Sequence, residues 1–380
     1  MRDNTKPVHV LICAGEASGD MHAASLMRAL TKQTQEIRIS GVSGQAMRDE
    51  GCEQIEAMES LNVMGIGDVL KALPRIRRIG RRIVDWIAKE RPAVVVLVDF
   101  PGFHMRLGEQ VRALGIPVLY YIAPKLWAWG HWRVKRLARA QDRLACILPF
   151  EPDWFAKHGI SATYVGNPSA FSCQSGMTQA ALKQSLGLCP EQKLLALLPG
   201  SRKSELERHT SLLLDTYHQL KKKYPDLQAV TTRAPSISDE QMQPWHEAGV
   251  HVLHRLQDDY AMRADAALAV SGTATLELAL WHTPTILVYH TSPFTMWLGR
   301  KLLGVRCVGL GNIVLDDCMV MPELLQEDAN VPKMVAMTQV LLQNDSSEAR
   351  EQKQAFKQLE ARLTLENPAE RVAQMVLEMV

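Results

Sequence analysis

Short apolar runs rich in β-branched residues alternate along the chain with longer segments in which apolar residues recur every three to four positions. Runs of this length are typical of buried strands, and the longer segments have the period of amphipathic helices. The alternation predicts parallel sheets with helices on both faces. The runs that we interpret as strands are 8–14, 37–42, 93–98, 116–122 and 143–148, then 193–198, 227–231, 250–253, 266–270 and 285–289.

A stretch rich in Pro, Ser, Gly and Gln at 167–190 interrupts the alternation, and we interpret it as a linker. The chain is therefore predicted to form two doubly wound, Rossmann-like α/β domains, over 1–168 and 186–344, with an interdomain cleft. From about residue 332 onward the pattern is helical, and Pro368 begins the last helix. Ligands of such sheets bind beyond the carboxyl ends of the strands, so the residues at those ends are the candidates for function.

Composition narrows the class of protein. The 380 residues are 47% hydrophobic, which is enough for two cores, and the net charge of +2 gives no general signal for nucleic acid. The seven cysteines include no CxxC pair, so neither a zinc ribbon nor a disulfide framework is expected. The apolar runs are too short to span a bilayer, and no signal peptide is recognised. We expect a cytoplasmic protein.

The sequence LLPGSRKSELERH, at 197–209, joins a predicted strand to a predicted helix through a tight turn. A helix N-terminus has free N–H groups and about half a positive charge, so an arginine there is unfavourable unless an anion binds beside it. We interpret Gly200, Ser201 and Arg202 as a phosphate-binding turn. An ordinary strand–helix connection, capped by Ser201, stays open.

The sequence AGEASGD follows the first predicted strand. It lacks the glycine spacing of a dinucleotide-binding loop, and its two carboxylates would repel a pyrophosphate. Glu16, Ser18 and Asp20 are instead suited to hydrogen bonds with hydroxyl groups. The alternative is that Ser18 or Asp20 caps the following helix.

Asp99 ends a predicted strand that should be fully buried, just before Pro101 and Gly102. A carboxylate at that end is a candidate general base for a hydroxyl nucleophile. Its alternative role is to cap the following turn.

The sequence SGTATLEL, at 271–278, repeats the order of strand, small-residue turn and helix. Ser271, Gly272 and Thr273 are suited to an anion or hydroxyl, and Glu277, one turn further on, to the two hydroxyls of a ribose. Ser and Thr are also frequent at ordinary helix starts, so that interpretation stays open.

The segment 61–91 has apolar residues at helical spacing, and residues 71–91 contain eight Lys/Arg against two Asp/Glu. A helix with one apolar and one basic face is suited to an anionic membrane surface. The alternative is a core-packed helix with a solvated basic back. The residues that we assign to membrane or acyl-chain contact are Met64, Ile66, Val69, Leu70, Leu73, Arg75 and Arg78. A second basic segment with three tryptophans, at 123–136, is too local for us to expect nucleic acid.

Seven motifs together resemble the lipid-A-disaccharide synthase family of glycosyltransferases. They occur in the order AGEASGD, VMGIGDVL, VDFPGF, LWAW, LPFE, LPGSR and SGTATLEL, within residues 14–326. The resemblance implies a GT-B fold whose C-terminal helices, at about 345–380, return to the first domain. It also implies an inverting hexosyltransferase of lipopolysaccharide (lipid A) biosynthesis in Gram-negative bacteria, peripherally associated with the inner face of the inner membrane.

The implied reaction joins UDP-2,3-diacylglucosamine to 2,3-diacylglucosamine 1-phosphate through a β(1→6) bond and releases UDP, with no metal or other cofactor. Asp99 would be the base, Arg202 would stabilise the leaving diphosphate, and Asn312 would join the residues that bind UDP. A homodimer stays open. The chain departs from the family pattern at His104, Lys125 and Asn167 and over 311–319.

Two other function classes stay open. One is another GT-B enzyme that uses UDP-N-acetylglucosamine, either a peptidoglycan-type transferase or a 2-epimerase; an epimerase would need further acid/base residues and no membrane face. The other is a non-catalytic, membrane-docking nucleotide-binding protein, which the presence of Glu16, Asp99 and Arg202 disfavours.

Overall fold

A computed structural model describes residues 7–34, 36–61, 66–173, 177–234, 236–254, 263–291, 304, 306–343, 345–363 and 366–380, without the side chains of 66–72. The chain divides into two compact units. The first unit is Met1–Phe171 with Leu365–Val380, and the second unit is Ser172–Thr364.

The described residues of the first unit form a seven-stranded parallel sheet in the order β3-β2-β1-β4-β5-β6-β7. Its strands are β1 (Val8–Ala14), β2 (Ile37–Ser43), β3 (Glu53–Ala57), β4 (Val94–Val98), β5 (Val118–Tyr121), β6 (Arg143–Cys146) and β7 (Ala162–Tyr164). The strand order reverses between β1 and β4, where Ala14 pairs with Val98. The loops that leave these two strands therefore begin side by side, at the point where doubly wound sheets bind ligands.

Helices cover both faces of this sheet because alternate residues of β4 point to opposite sides and all five are buried. They are α1 (Ala17–Gln33), α2 (Gln45–Asp49), α3 (Ile66–Glu90), α4 (Pro101–Ala113), α5 (Val134–Ala140), α6 (Glu151–Ala156) and α7 (Pro168–Ser172). The core on one face joins Val94, Val96 and Val98 to α1 and to the final helix of the chain, Pro368–Leu377. The opposite core joins Val95 and Leu97 to α3 and α4.

The described residues of the second unit form a six-stranded parallel sheet in the order β10-β9-β8-β11-β12-β13. Its strands are β8 (Leu194–Leu198), β9 (Gln228–Arg233), β10 (His251–His254), β11 (Ala266–Val270), β12 (Thr285–Tyr289) and β13 (Glu323–Leu325). Its helices are α8 (Gln179–Ser185), α9 (Lys203–Lys223), α10 (Gln243–Glu247), α11 (Thr273–Leu280), α12 (Leu310–Val314), α13 (Val331–Leu342) and α14 (Ser347–Arg362). The predicted class, two doubly wound parallel sheets followed by a helical C-terminus, is confirmed.

Two expectations about the connections were wrong in part. The expected linker contains α7 and α8, and Thr178 caps α8 by accepting a hydrogen bond from Ala181 N at 3.2 Å. In the C-terminal stretch, α14 packs in the second unit, because Gln352 accepts a hydrogen bond from Thr285 N at 2.7 Å and Phe356 is fully buried. Of the helices in the C-terminal stretch, only the final one, Pro368–Leu377, lies in the first unit.

The second half of α3 packs in the core of the first unit. Ile79, Ile83 and Ile87 are buried there, whereas Arg75 and Arg78 are exposed, as expected of a core-packed helix with a basic back. Leu73 is half-buried. Among the proposed membrane residues, Met64 and the side chains of Ile66, Val69 and Leu70 lie outside the described residues. None of the described helices has the length and hydropathy to cross a membrane.

Candidate active site

Asp99 follows the last residue of β4 and adopts an unusual backbone conformation. Asp99 and Phe100 have φ values of 50° and 48°, in the left-handed region that residues other than glycine seldom occupy. Such a conformation costs about 1–2 kcal/mol per residue and persists only where surrounding contacts hold it. The Asp99 N–H donates to Tyr121 O at 2.9 Å, which continues the sheet up to this residue.

Two buried side chains hold the carbonyl group of Asp99. The Tyr120 hydroxyl donates to Asp99 O at 2.6 Å, and His104 Nδ1 lies 2.9 Å from the same oxygen. Burial lowers the pKa of His104 to about 4, so its ring is neutral and Nδ1–H is the donor. These two contacts offset the cost of the left-handed backbone and fix the direction in which the Asp99 carboxylate leaves the sheet. His104, a departure from the family pattern, therefore has a positioning role.

The pKa of the Asp99 carboxyl group is raised to about 6. Burial is the largest cause, the charge of Glu16 also raises this pKa, and the charge of Lys125 lowers it. Ser18 Oγ donates to Glu16 Oε1 at 2.7 Å and so orients this carboxylate. Of the predicted residues in the first unit, Asp99, Glu16 and Ser18 thus lie together at the ends of β1 and β4. Lys125 joins them.

The loop after β1 approaches Asp99 closely because of one glycine. A Cβ atom on Gly15 would overlap the side chain of Phe100. The first glycine of AGEASGD is therefore required by packing between the two loops, where Glu16 begins α1.

Asp20 has a different role from the predicted one. It is buried, and its two carboxylate oxygens accept hydrogen bonds from Gly44 N (2.7 Å), Ala46 N (2.8 Å) and Met47 N (3.3 Å). These are the N–H groups at the start of α2, so Asp20 caps a helix that is distant in sequence. The assignment of Asp20 to hydroxyl binding was wrong.

Glu151, in LPFE, is a buried carboxyl group for which no role was predicted from the sequence. It accepts hydrogen bonds from Trp127 Nε1 at 3.0 Å and from Leu148 N at 3.0 Å. Burial raises its pKa to about 7, and Lys125 is among the groups that lower it. Lys125 is thus electrostatically linked to both Asp99 and Glu151. Asn167, another departure, donates to Ile147 O at 3.0 Å and caps α7, so it serves this loop structurally.

The Arg202 turn of the second unit, which we define as Gly200, Ser201 and Arg202, already binds an anion from the chain itself. Glu205 Oε2 accepts hydrogen bonds from Ser201 N at 3.0 Å and Arg202 N at 3.2 Å, while Oε1 pairs with the Arg202 guanidinium at 2.9 Å. Gly200 has a φ of 103°, and a Cβ there would overlap the Glu205 carboxylate. The expectation of free donors at 201 and 202 was wrong, although the predicted affinity of this turn for an anion is consistent with the contact.

His209 connects this turn to the end of β12. Its ring is buried; Nδ1 donates to Glu205 O at 2.8 Å, and Nε2 accepts from His290 N at 2.9 Å. Burial lowers the pKa of His209, as this neutral tautomer requires. The histidine that ends the motif therefore fixes the first turn of α9 against the end of β12.

The turn at 271–273 stands at the end of β11. Gly272 and Thr273 are exposed, and a Cβ on Gly272 would meet no atom within 4 Å, so there is open space beside it. Ser271 Oγ donates to Val308 O at 2.8 Å and ties the turn to the loop before α12. Glu277 is half-buried one helical turn after Thr273. The joint role predicted for these four residues stays a prediction.

Asn312 is structural instead of ligand-binding. It is fully buried, donates to Met321 O at 2.8 Å and Glu323 Oε1 at 2.9 Å, and accepts from Met321 N at 2.8 Å. Glu323 also accepts from Val308 N at 2.9 Å, so this carboxylate clamps the loop beside Ser271. Within the described residues, no group of three or more His, Cys, Asp and Glu side chains is arranged to bind a metal ion.

Two doubly wound parallel sheets, with the candidate residues at their strand ends, define the GT-B fold class. The family model described as lipid-A-disaccharide synthetase matches residues 10–378, and the chain belongs to this family. Lipid-A-disaccharide synthase of Myxococcus xanthus is 37% identical over 379 residues, which cover 99% of this chain and 98% of that protein. The Geobacter sulfurreducens protein of the same name is 34% identical over 383 residues, covering 100% and 99%.

Among solved structures, UDP-GlcNAc 2-epimerase from Neisseria meningitidis, bound to UDP-GlcNAc, matches with a TM-score of 0.59. The match covers 97% of this chain and 98% of that chain at 12% sequence identity. Such a likeness shows a common fold and carries nothing about the reaction.

Proposed function

We propose that this protein transfers 2,3-diacylglucosamine from its UDP derivative to 2,3-diacylglucosamine 1-phosphate, with inversion at the anomeric carbon. Membership of the lipid-A-disaccharide synthetase family supports the reaction class. The observation that carries the mechanism is Asp99, a strand-end carboxyl group whose pKa is raised to about 6. A general base is most effective when its pKa is near the operating pH, which suits Asp99 to remove a proton from a sugar hydroxyl.

The proposed step is a single displacement. The Asp99 carboxylate accepts the proton of the acceptor 6-hydroxyl as that oxygen forms a bond to the donor's anomeric carbon. The bond between this carbon and the diphosphate oxygen breaks at the same time, and its electron pair leaves with UDP. Attack from the face opposite the leaving group gives the β(1→6) linkage.

The Arg202 turn is the proposed site of the leaving diphosphate. The Arg202 side chain is 76% exposed and pairs with Glu205, and exposed ion pairs of this kind contribute only about 0–1 kcal/mol. The guanidinium pairs with Glu205 through Nη1, whereas phosphate oxygens can accept two parallel charge-assisted bonds from an arginine, so a diphosphate can displace Glu205. The charge on the leaving group would then be stabilised where it develops.

The turn at 271–273 and Glu277 are proposed to bind the nucleoside. The open space beside Gly272 supports access, and a carboxylate is suited to accept hydrogen bonds from both ribose hydroxyls. The epimerase alternative has only fold similarity in its favour, and no described feature favours a non-catalytic role.

We also propose that the first half of α3 contacts the membrane surface that holds the acylated substrates. The apolar residues at 66–73 and the exposed Arg75 and Arg78 that follow support this. Changing Val69, Leu70 and Leu73 to Ser should lower co-sedimentation with liposomes and leave the melting temperature unchanged. Ile83→Ser, in the core-packed half, is the contrasting control and should lower the melting temperature alone. Normal liposome binding by a less stable triple variant would contradict the proposal.

The reaction itself is tested by incubating the protein with both lipid precursors and analysing the products by mass spectrometry. UDP and a disaccharide 1-phosphate are expected in equal amounts. An acceptor with hydrogen in place of the 6-hydroxyl is the matched control and should give no disaccharide. Release of UDP without disaccharide, or conversion of the donor to an epimer, would overturn the proposed function.

A further inference from the structure

A basic, aromatic groove lies beside the start of α4 in the first unit. This Trp–Arg groove has a volume of about 530 Å³ and is lined in part by Pro101, Gly102, Trp129 and Trp132. The two tryptophan side chains are 44% and 63% exposed, and their rings meet edge to face with centroids 5.4 Å apart. Tryptophan side chains are highly buried on average, whereas these two are exposed. They therefore form an apolar wall of the groove that a ligand can contact.

Five cationic side chains line the same groove: Arg106, Arg133, Lys135, Arg136 and Arg139. In the described parts of the chain, the ion pairs of this group are made by Arg136 and Arg139, which share the carboxylate of Glu109 at 3.4 and 2.7 Å. Within the described residues, no carboxylate therefore forms an ion pair with Arg106, Arg133 or Lys135. Like charges held this close repel one another, and a bound anion would relieve the repulsion.

Arg133 connects the groove to the Asp99 site. Its Nη2 donates to Pro101 O at 3.1 Å, two residues after Asp99. Burial lowers the pKa of this guanidinium, and the neighbouring charges of Arg136 and Arg106 lower it further. The lining of the groove therefore begins at Pro101, two residues after Asp99, and its cations lie close enough to influence one another.

We infer that the Trp–Arg groove binds the phosphate monoester of the acceptor lipid while Asp99 faces the hydroxyl of the same sugar. The inference rests on the proposed function and adds to it the recognition of the acceptor's anion. A phosphate monoester carries a charge of about −1.5 to −2 and three strong acceptor oxygens, which suits a cluster of arginine and lysine. The tryptophan wall suits an amphiphile whose phosphate adjoins an apolar body.

The test compares two short-chain acceptors, 2,3-diacylglucosamine 1-phosphate and the same compound without its phosphate. The test variant is Arg106→Gln with Lys135→Gln, both exposed and therefore not expected to affect folding. The matched control is Lys32→Gln with Lys157→Gln, which removes the same charge from exposed positions of the first unit outside the groove.

The wild-type protein should prefer the phosphorylated acceptor in kcat/KM. The groove variant should lose about tenfold or more with that acceptor, mainly through KM, because each lost charge-assisted contact is worth about tenfold in affinity. With the phosphate-free acceptor it should change less than about twofold, and the control should keep the full preference.

The remaining outcomes separate the alternatives. Equal losses with both acceptors, together with weaker co-sedimentation with phosphatidylglycerol vesicles, would assign the groove to bulk anionic lipid and overturn the inference. A groove variant that keeps the wild-type preference would overturn the inference alone. A wild-type protein that uses neither acceptor would overturn the proposed function, and the inference with it.

Discussion

The Asp99 site (Glu16, Asp99 and Lys125) and the Arg202 turn both lie at the carboxyl ends of central parallel strands, but their backbone and charged groups are held in opposite ways. Asp99 has a left-handed backbone fixed by two buried donors and a raised pKa. Arg202 is mostly exposed, and its turn is occupied by Glu205. Contacts within the protein fix the geometry of the first site, whereas the proposed diphosphate would have to replace an internal carboxylate at the second.

This contrast fits the two kinds of chemistry. Proton transfer demands that a base be fixed within hydrogen-bond reach of its hydroxyl. A diphosphate offers several charged oxygens for charge-assisted hydrogen bonds. The proposed site can therefore hold the weakly bound Glu205 carboxylate when the diphosphate is absent. We therefore expect changes at Asp99 to affect turnover, and changes at the Arg202 turn to affect affinity as well.

The largest effect is expected from Asp99→Asn. The amide keeps the size of the side chain but cannot accept the proton, so kcat should fall by about 10²–10⁴-fold. UDP binding, measured by calorimetry, should be unchanged because the Arg202 turn is intact. Near-normal turnover would contradict the role of Asp99 as the base.

The second largest effect is expected from Arg202→Lys. Lysine keeps the charge but lacks the planar pair of donors, so both UDP affinity and kcat should fall by about tenfold. Lys203→Gln removes the neighbouring exposed cation and should change either quantity by less than about twofold. A wild-type affinity in Arg202→Lys would return this turn to an ordinary strand–helix connection.

Tyr120→Phe tests whether Asp99 is positioned through its carbonyl group. The variant loses one of the two donors to Asp99 O, at a cost of about 1 kcal/mol in stability. We expect kcat to fall several-fold with little change in acceptor KM, and His104→Asn, which can still donate, to be milder. A Tyr120→Phe protein with reduced stability but unchanged kcat would limit Tyr120 to a structural role.

Substitution of two charged neighbours of Asp99 should shift the pH dependence of kcat/KM in opposite directions. The base must be deprotonated, so kcat/KM should rise with pH through about 6 in the wild-type protein. Glu16→Gln removes a charge that raises the pKa of Asp99 and should move this limb to lower pH. Lys125→Gln removes a charge that lowers it and should move the limb to higher pH. Shifts in the same direction would show that the limb belongs to another group.

The smallest effect is expected from Glu205→Gln. The amide oxygen can still accept an N–H of the turn, but Arg202 is no longer neutralised, so UDP should bind a few-fold more tightly. Weaker binding would mean that the carboxylate is needed for the shape of the turn, and the view of Glu205 as an internal substitute for phosphate would fail.

The fold could be predicted because its central strands are buried on both faces and therefore appear as continuous apolar runs. All ten predicted runs overlap observed strands. The three strands that were missed, Glu53–Ala57, Ala162–Tyr164 and Glu323–Leu325, lie at the edges of the sheets and are short and mostly half-buried or exposed. Their residues face fewer neighbours, so the sequence carries little apolar signal for them.

The candidate site was less predictable because a polar residue at a strand end does not reveal its partners. Asp99 was chosen from its position at a strand end alone, and its role as a base stays a prediction. Asp20 and Asn312 have equally suitable chemistry, yet their polar groups bond to backbone atoms 24 to 27 and 9 residues away. Glu205 and Tyr120 were missed since one looked like an ordinary first-turn glutamate and the other like a buried strand residue. Asp99, the partner of Tyr120, lies 21 residues away, and only the fold brings it close. The partners of Glu205 lie only three and four residues before it, so this contact is local in sequence.

Because the final helix belongs to the first unit, this unit can complete its fold only after the second unit has been synthesised. Its residues, among them Val372 and Val376, complete a core whose remaining members precede Phe171, whereas the second unit is made from one continuous stretch. At about 5–20 residues per second, translation of the roughly 200 intervening residues takes roughly 10–40 s. The unit that leaves the ribosome first is therefore the last to be finished. For that interval, the part of the α1 surface that contacts the final helix lacks its partner on the nascent chain.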